Sequence, residues 1–158
     1  MRVLGTETVS ATPTGPGRPP EVATTATGLQ AVLALPAGFG GTERAGATNP
    51  EQLFGSAYTG CFVFAVEYAA RRTAADISGL RATAEVRVGR GRDGGNDLEV
   101  DLVVDLPALD QAEAEAVCAR AERYCPFHRA IHGNVPMTLT VRGRGAAPAD
   151  QAERPSGS

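Results

Sequence analysis

The sequence predicts an α+β domain in which helices pack against antiparallel strands. Three observations lead there. Residues 81–88 and 98–106 alternate apolar and polar positions, the pattern of strands with one buried and one wet face. Residues 49–72 place Leu53, Ala57, Cys61, Phe64 and Tyr68 at helical spacing. A second helical pattern follows the paired strands, through Ala114, Val117, Cys118, Ala121 and Tyr124. The predicted order is strands, helix, two strands, helix, strand.

Taken in order, residues 6–12 alternate loosely and are expected to form a strand. Residues 12–20 are turn-rich. Pro13, Pro16, Pro19 and Pro20 forbid a helix there, and Arg18 is the one charge. Residues 28–35 alternate, with Leu29, Ala31, Leu33 and Leu35 on one side, and the strand closes at Pro36. A Gly-rich loop over 38–48 delivers the chain to the first helix. That helix has a defined start: Asn49 as N-cap, Pro50 at the first helical position, and Gln52 placed to complete a capping box. Arg71 and Arg72 suit the negative end of its dipole. Its predicted buried stripe puts Cys61 in the middle.

Residues 76–79 form a turn. The next strand points Ala82, Ala84, Val86 and Val88 inward, and 89–97 is a hairpin loop. Its partner points Leu98, Val100, Leu102, Val104 and Leu106 inward. Asp110 caps the second helix with Glu113 three residues on, and Pro126 is expected to stop it. Val135, Met137, Leu139 and Val141 mark a last strand. Residues 1–142 are expected to be one domain and 143–158 a disordered tail rich in Gly, Ala and Pro.

The 158 residues hold 15 basic and 18 acidic side chains, a formal charge of −3. With no basic run, nucleic acid is not an expected partner. No apolar run of about 18 residues stands out, so no membrane span is expected. The first residues lack the apolar core of a secretory signal, and a cytoplasmic location is the expectation. Three cysteines, Cys61, Cys118 and Cys125, are too few for a secreted disulfide scaffold. Each is a buried hydrophobe, a metal ligand or a redox thiol.

Neither Cys61, in mid-helix, nor Cys125, at a helix C-terminus that disfavours thiolate, is activated by its own position. An attacking thiol needs a cation from elsewhere. Arg18, alone in a stiff Pro/Gly segment, is the candidate, with Glu51 to aim its guanidinium. A rival reading is metal binding: Cys125, His128 and His132 have the spacing C-x2-H-x3-H, and Cys118 offers a fourth ligand for zinc.

The NPEQLF block at 49–54 with Cys61 downstream, LPALD at 106–110, and CPF…GN over 125–134 resemble the organic hydroperoxide resistance (Ohr) proteins of the OsmC/Ohr superfamily. The resemblance runs over residues 4–141. It implies an intertwined homodimer of OsmC/Ohr-like fold, with antiparallel sheets and two main helices. It also implies a thiol peroxidase without metal or other cofactor, active on organic hydroperoxides. By motif, Cys61 is peroxidatic, Cys125 resolving, and Arg18 with Glu51 the supporting pair. The implied reductant is an external dithiol, of the lipoyl type carried on another protein. The chain departs from the family pattern twice. GPGRPP stands around Arg18 where the usual stretch resembles GGRDGR, and CPFHRAIHGN stands where CPYS is usual, so His128 replaces a small hydroxyl residue.

Leu53, Phe54, Phe62, Phe64 and Phe127 are the apolar residues expected to wall the substrate site and favour a hydroperoxide with a carbon tail. Glu51 lies ten residues before Cys61, about 15 Å along a straight helix and about 80° around it. Direct contact within one chain is therefore not expected; a second subunit supplies Glu51, or Arg18 bridges the gap. A non-catalytic redox sensor or binding module on the same fold would keep both cysteines but show no turnover.

Overall fold

The structure, a computed structural model, describes residues 9–12, 21–24, 28–42 and 44–146. The chain forms two compact units, Met1–Phe54 and Gly55–Ser158. The first holds a sheet of four short strands in the order β1 (Val9–Thr12), β2 (Glu21–Thr24), β3 (Gln30–Leu33) and β4 (Ala47–Thr48). β1, β2 and β3 pair antiparallel, and β4 joins β3 in parallel. β2 has too few residues to display a period and was not expected from the sequence. The Gly-rich loop contains a short 3-10 helix, Ala37–Phe39, closed by Gly40 at φ 79°. A Cβ at Gly41 would strike the Leu35 carbonyl, so the loop can fold back only on glycine.

The first long helix, α1 (Pro50–Arg71), begins where the sequence places it. Asn49 Oδ1 accepts the backbone N–H of Gln52 at 2.7 Å, and Gln52 Oε1 accepts from Thr48 Oγ1 at 2.8 Å. The first contact satisfies a backbone donor that a helix start otherwise leaves to water, while the Gln52 side chain bonds the Thr48 hydroxyl.

The second unit contains β5 (Arg81–Arg90), β6 (Asn96–Asp105), α2 (Gln111–Tyr124), α3 (Pro126–Ile131) and β7 (Met137–Arg142). β5 and β6 form the expected antiparallel hairpin, with Val86 opposite Val100 and Ala84 opposite Leu102. β7 pairs with β6 in parallel, a correction to the all-antiparallel sheet expected. Parallel neighbours need a long crossover, and α2 with α3 supply it. Val100, Leu102, Val104 and Leu106 are buried, while Arg87 on the other face pairs with Asp101 at 2.7 Å and Glu85 at 3.1 Å. Exposed pairs of this kind add little stability. At the entry to β5, Gly79 has φ 80°, and a Cβ there would lie 2.8 Å from Pro107.

α2 carries the full predicted capping box. Asp110 Oδ1 accepts from Glu113 N–H, and Glu113 reaches back to the Asp110 N–H. Ala114, Val117, Cys118 and Ala121 are buried as expected, but Tyr124 is at the surface. Pro126 ends α2 and also starts α3, because proline fits a first helical position as well as it breaks an interior one. Residues 143–146, assigned to the tail by composition, are fixed by Gly143 N–H donating to Gln111 Oε1 and Arg144 N–H to Leu109 O. The rest of the expected tail, 147–158, lies outside the described residues.

The buried face of α1 is not the predicted one. Gly55, Tyr58, Phe62, Ala65, Val66, Ala69 and Ala70 are buried. Ala57, Phe64 and Tyr68 are exposed, and Leu53 and Cys61 are half-buried. α1 has two apolar faces, and periodicity alone does not rank them. Small residues decide: Gly55 lets the helix approach β5 until a Cβ there would be 3.3 Å from Val86 Cγ2. Long and apolar enough to cross a bilayer by composition, α1 also corrects the expectation that no segment is. The same composition suits a core helix, and Tyr58, Phe62 and Val66 are fully buried here.

Candidate active site

Cys61 occupies the seam between the two apolar faces of α1. At about 100° per residue it lies about 60° from Tyr58 on the buried side and about 60° from Phe64 on the exposed side. The seam explains its intermediate exposure: one side of the residue meets the interior and the other reaches the surface.

Cys125 closes α2 and opens α3 at once. Its backbone N–H bonds to Ala121 O, and its Sγ accepts the backbone N–H of His128 at 3.4 Å. The sequence exposes only the first of these settings, the unfavourable C-terminus. Burial pushes the Cys125 thiol up from its ordinary value; the neighbouring Cys61 adds to this, and the His128 N–H opposes it. The thiol donates toward Cys61 Sγ at 3.2 Å, so residues 64 positions apart meet as free thiols. A bond of about 2.05 Å requires closure by little more than an ångström.

Behind the pair, Tyr58 Oη and His128 Nδ1 are 2.9 Å apart, both side chains buried. Phe62 packs edge-on to Tyr58 and tilted over the His128 ring, with centroids 6.2 and 5.8 Å away. Burial raises the Tyr58 phenol well above its usual range, with Cys125, Glu122 and Cys61 adding, so it remains protonated. His128 Nε2 comes within 3.4 Å of Glu122 Oε2 without hydrogen-bond geometry. Burial lowers the His128 pKa and His132 lowers it further, against the pull of Glu122. Glu122, Arg123, His128, Arg129 and His132 line an open depression on α2 and α3.

Among the predicted site residues, the structure brings Cys61, Cys125 and Phe62 together. Phe62 is fully buried. Phe64 is 71% exposed and Phe127 42% exposed. Leu53, Phe54 and Glu51 are half-buried in the first turns of α1. Glu51 Oε2 is buried and has no hydrogen-bond partner among the described residues. Arg18 lies outside the described residues. Tyr58 and His128 were not singled out as a pair, and no sequence pattern links positions 70 apart. Cys118 is buried, its thiol pushed up to about 12 by burial with Glu122 adding, and takes no part in the Cys61–Cys125 contact. The zinc spacing brings no ligand set together: among the described residues no group of three or more His, Cys, Asp or Glu is placed to hold a metal. Cys125 Sγ faces Cys61, while His128 Nδ1 faces Tyr58.

Comparison with known proteins places these residues in a family context. The OsmC-like protein family matches residues 40–140. An organic hydroperoxide resistance protein of Xanthomonas axonopodis pv. citri is 35% identical over 135 residues, covering 85% of this chain and 93% of the relative. The crystal structure of an organic hydroperoxide resistance protein from Legionella pneumophila, also described as a predicted redox protein, superposes with a TM-score of 0.81. It is 37% identical and covers 89% of this chain and 99% of that one. A second structure, of a putative organic hydroperoxide resistance protein from Vibrio cholerae, holds captopril in one of its active sites. Its TM-score is 0.77 at 31% identity, covering 94% of this chain and 97% of that one.

Proposed function

The chain belongs to the OsmC-like protein family, and from that premise we propose that it is a cysteine-based peroxidase. It reduces organic hydroperoxides to alcohols in oxidative stress defence. The observation that carries this reading is the 3.2 Å approach of two free thiols, one half-buried on α1 and one buried at the α2–α3 junction.

Cys61, the more accessible sulfur, attacks as thiolate. A sulfur–oxygen bond forms as the O–O bond breaks; the leaving alkoxide takes a proton and departs as alcohol. Cys61 is left as a sulfenic acid. The Cys125 sulfur then displaces hydroxide from it. The S–S bond forms, the S–O bond breaks, and the oxygen leaves as water with the thiol proton of Cys125. An external dithiol, of the lipoyl type in this proposal, reduces the disulfide and is itself oxidised.

Arg18 and Glu51 complete the proposal as the cation that favours the Cys61 thiolate and the carboxylate that aims it. The unpartnered buried oxygen of Glu51 supports a guanidinium partner for it. The protein acts as a homodimer. Support comes from the exposed apolar strip of Phe64, Tyr68, Tyr124 and Phe127, where Tyr68 and Tyr124 stack edge to face at 4.7 Å. Free thiols in the working enzyme suit the reducing cytoplasm.

The test is steady-state consumption of cumene hydroperoxide against hydrogen peroxide, with a monothiol and then a dithiol as reductant. The reading expects preference for the organic peroxide and turnover with the dithiol. A protein that oxidises once and never turns over with any thiol is a redox sensor, not a peroxidase.

A further inference from the structure

We propose that Tyr58 and His128 form a clamp that positions Cys61 and Cys125 for disulfide closure. The inference rests on reading the two cysteines as a redox pair, and it assigns a role to two residues outside that pair.

The placement is symmetrical about the thiols. Tyr58 is one helical turn before Cys61 on α1, and His128 one turn after Cys125 on α3. Their side chains meet at 2.9 Å, one turn along from the point where the thiols meet at 3.2 Å. α1 and α3 are therefore tied at two successive levels. Phe62 fills the space beside the clamp, with its ring against both Tyr58 and His128. Among the described residues the other His128 nitrogen has only the 3.4 Å approach of Glu122, so the bond to Tyr58 is the well-formed polar contact of that ring.

The physical consequence is effective concentration. Two thiols on separate elements close to a disulfide at a rate and equilibrium set by how often they are in reach. A buried hydrogen bond holding their helices adds its net free energy to that preorganisation. Both side chains are buried, and in this proposal the clamp acts on the second step and on re-reduction. Tyr58 and His128 are positioning residues.

The experiment uses the full chain and two readouts that need no peroxide. One is the Cys61–Cys125 dithiol–disulfide equilibrium against reduced and oxidised glutathione, by intact mass. The other is the rate of closure with diamide. Tyr58→Phe removes the hydroxyl and keeps the ring; His128→Ala removes both ring nitrogens. His128→Asn returns a polar atom where Nδ1 stood. The clamp expects Tyr58→Phe and His128→Ala each to lower the equilibrium constant for disulfide formation about tenfold, the size of one buried hydrogen bond. The double variant loses no more than His128→Ala alone, and His128→Asn recovers at least half of the loss on a logarithmic scale. Values for Tyr58→Phe within about twofold of the unmodified protein overturn the clamp, since that difference is smaller than a typical hydrogen bond. Equal losses in His128→Asn and His128→Ala overturn it as well, because packing alone then explains both. Should His128→Ala fail to fold, Tyr58→Phe with its twofold limit still decides. An unmodified protein that forms no Cys61–Cys125 disulfide overturns the redox-pair reading itself, which separates that failure from failure of the clamp.

Discussion

At Cys61 and Cys125 the same element has opposite settings, and the difference supports the roles proposed for them. Cys61 has a side open to the surface; Cys125 is buried and its thiol is held up by that burial. Cys61→Ser is expected to abolish hydroperoxide consumption. Cys125→Ser is expected to accept one oxidation and then add further oxygens at Cys61, visible as mass increments of sulfinic and sulfonic acid. Normal cycling in Cys125→Ser would move the resolving role to another thiol. His128 supplies a prediction in pH. Its folded pKa is depressed, so the unfolded chain binds the proton first as pH falls. The contribution to stability is complete above about 6.5, the ordinary histidine value, and declines as pH drops from there toward the folded pKa. Urea titrations from pH 7.5 to 5 are expected to show this decline, and His128→Ser to flatten it. An identical pH slope in both proteins would contradict the assignment. None of this was visible from the residue alone. His128 read as a metal ligand or as a replacement for a small hydroxyl residue until α3 turned its ring toward Tyr58.

Elements with a single answer were legible in the sequence. The alternation in β5 and β6 admits one register of faces, and Val100, Leu102 and Val104 are buried as read. The Asp110–Glu113 box is a local code, and it appears atom for atom. Asp110→Ala is expected to destabilise the protein by about 1 kcal/mol, measured as a lower urea midpoint with unchanged slope. No change in midpoint would mean that water replaces the cap without cost. Elements with two answers were not legible. α1 offers two apolar faces, and the choice rests on the fit of Gly55 against Val86, a tertiary contact. Pro126 reads as a stop or as a start, and α3 exists because the chain takes both. The candidate thiols were found by motif resemblance rather than by physics. Their meeting depends on how α2 ends, which local patterning does not specify.

The largest scale concerns surfaces and connections. Phe64, at 71% exposure, stands out from the face of α1 opposite its packed side. If that strip is the homodimer surface, Phe64→Glu is expected to shift sedimentation from a dimer toward the 16.3 kDa monomer. A dimer that tolerates the glutamate places the interface elsewhere. The crossover through α2 and α3 that makes β7 parallel to β6 also has a thermodynamic side. It carries Cys125, which β5, β6 and α2 set 64 positions from Cys61 while the fold brings the two thiols into contact. Closing that loop removes freedom from the unfolded chain worth about 4 kcal/mol in the chain-entropy account. The oxidised protein should therefore melt at a higher temperature than the reduced one, by calorimetry with and without dithiol. Equal melting temperatures would mean that strain in the closed form cancels the gain. A melting curve would then record turnover. In the proposed cycle each disulfide formed raises resistance to heat and each reduction lowers it again, so that the reductant works against the more heat-resistant of the two forms.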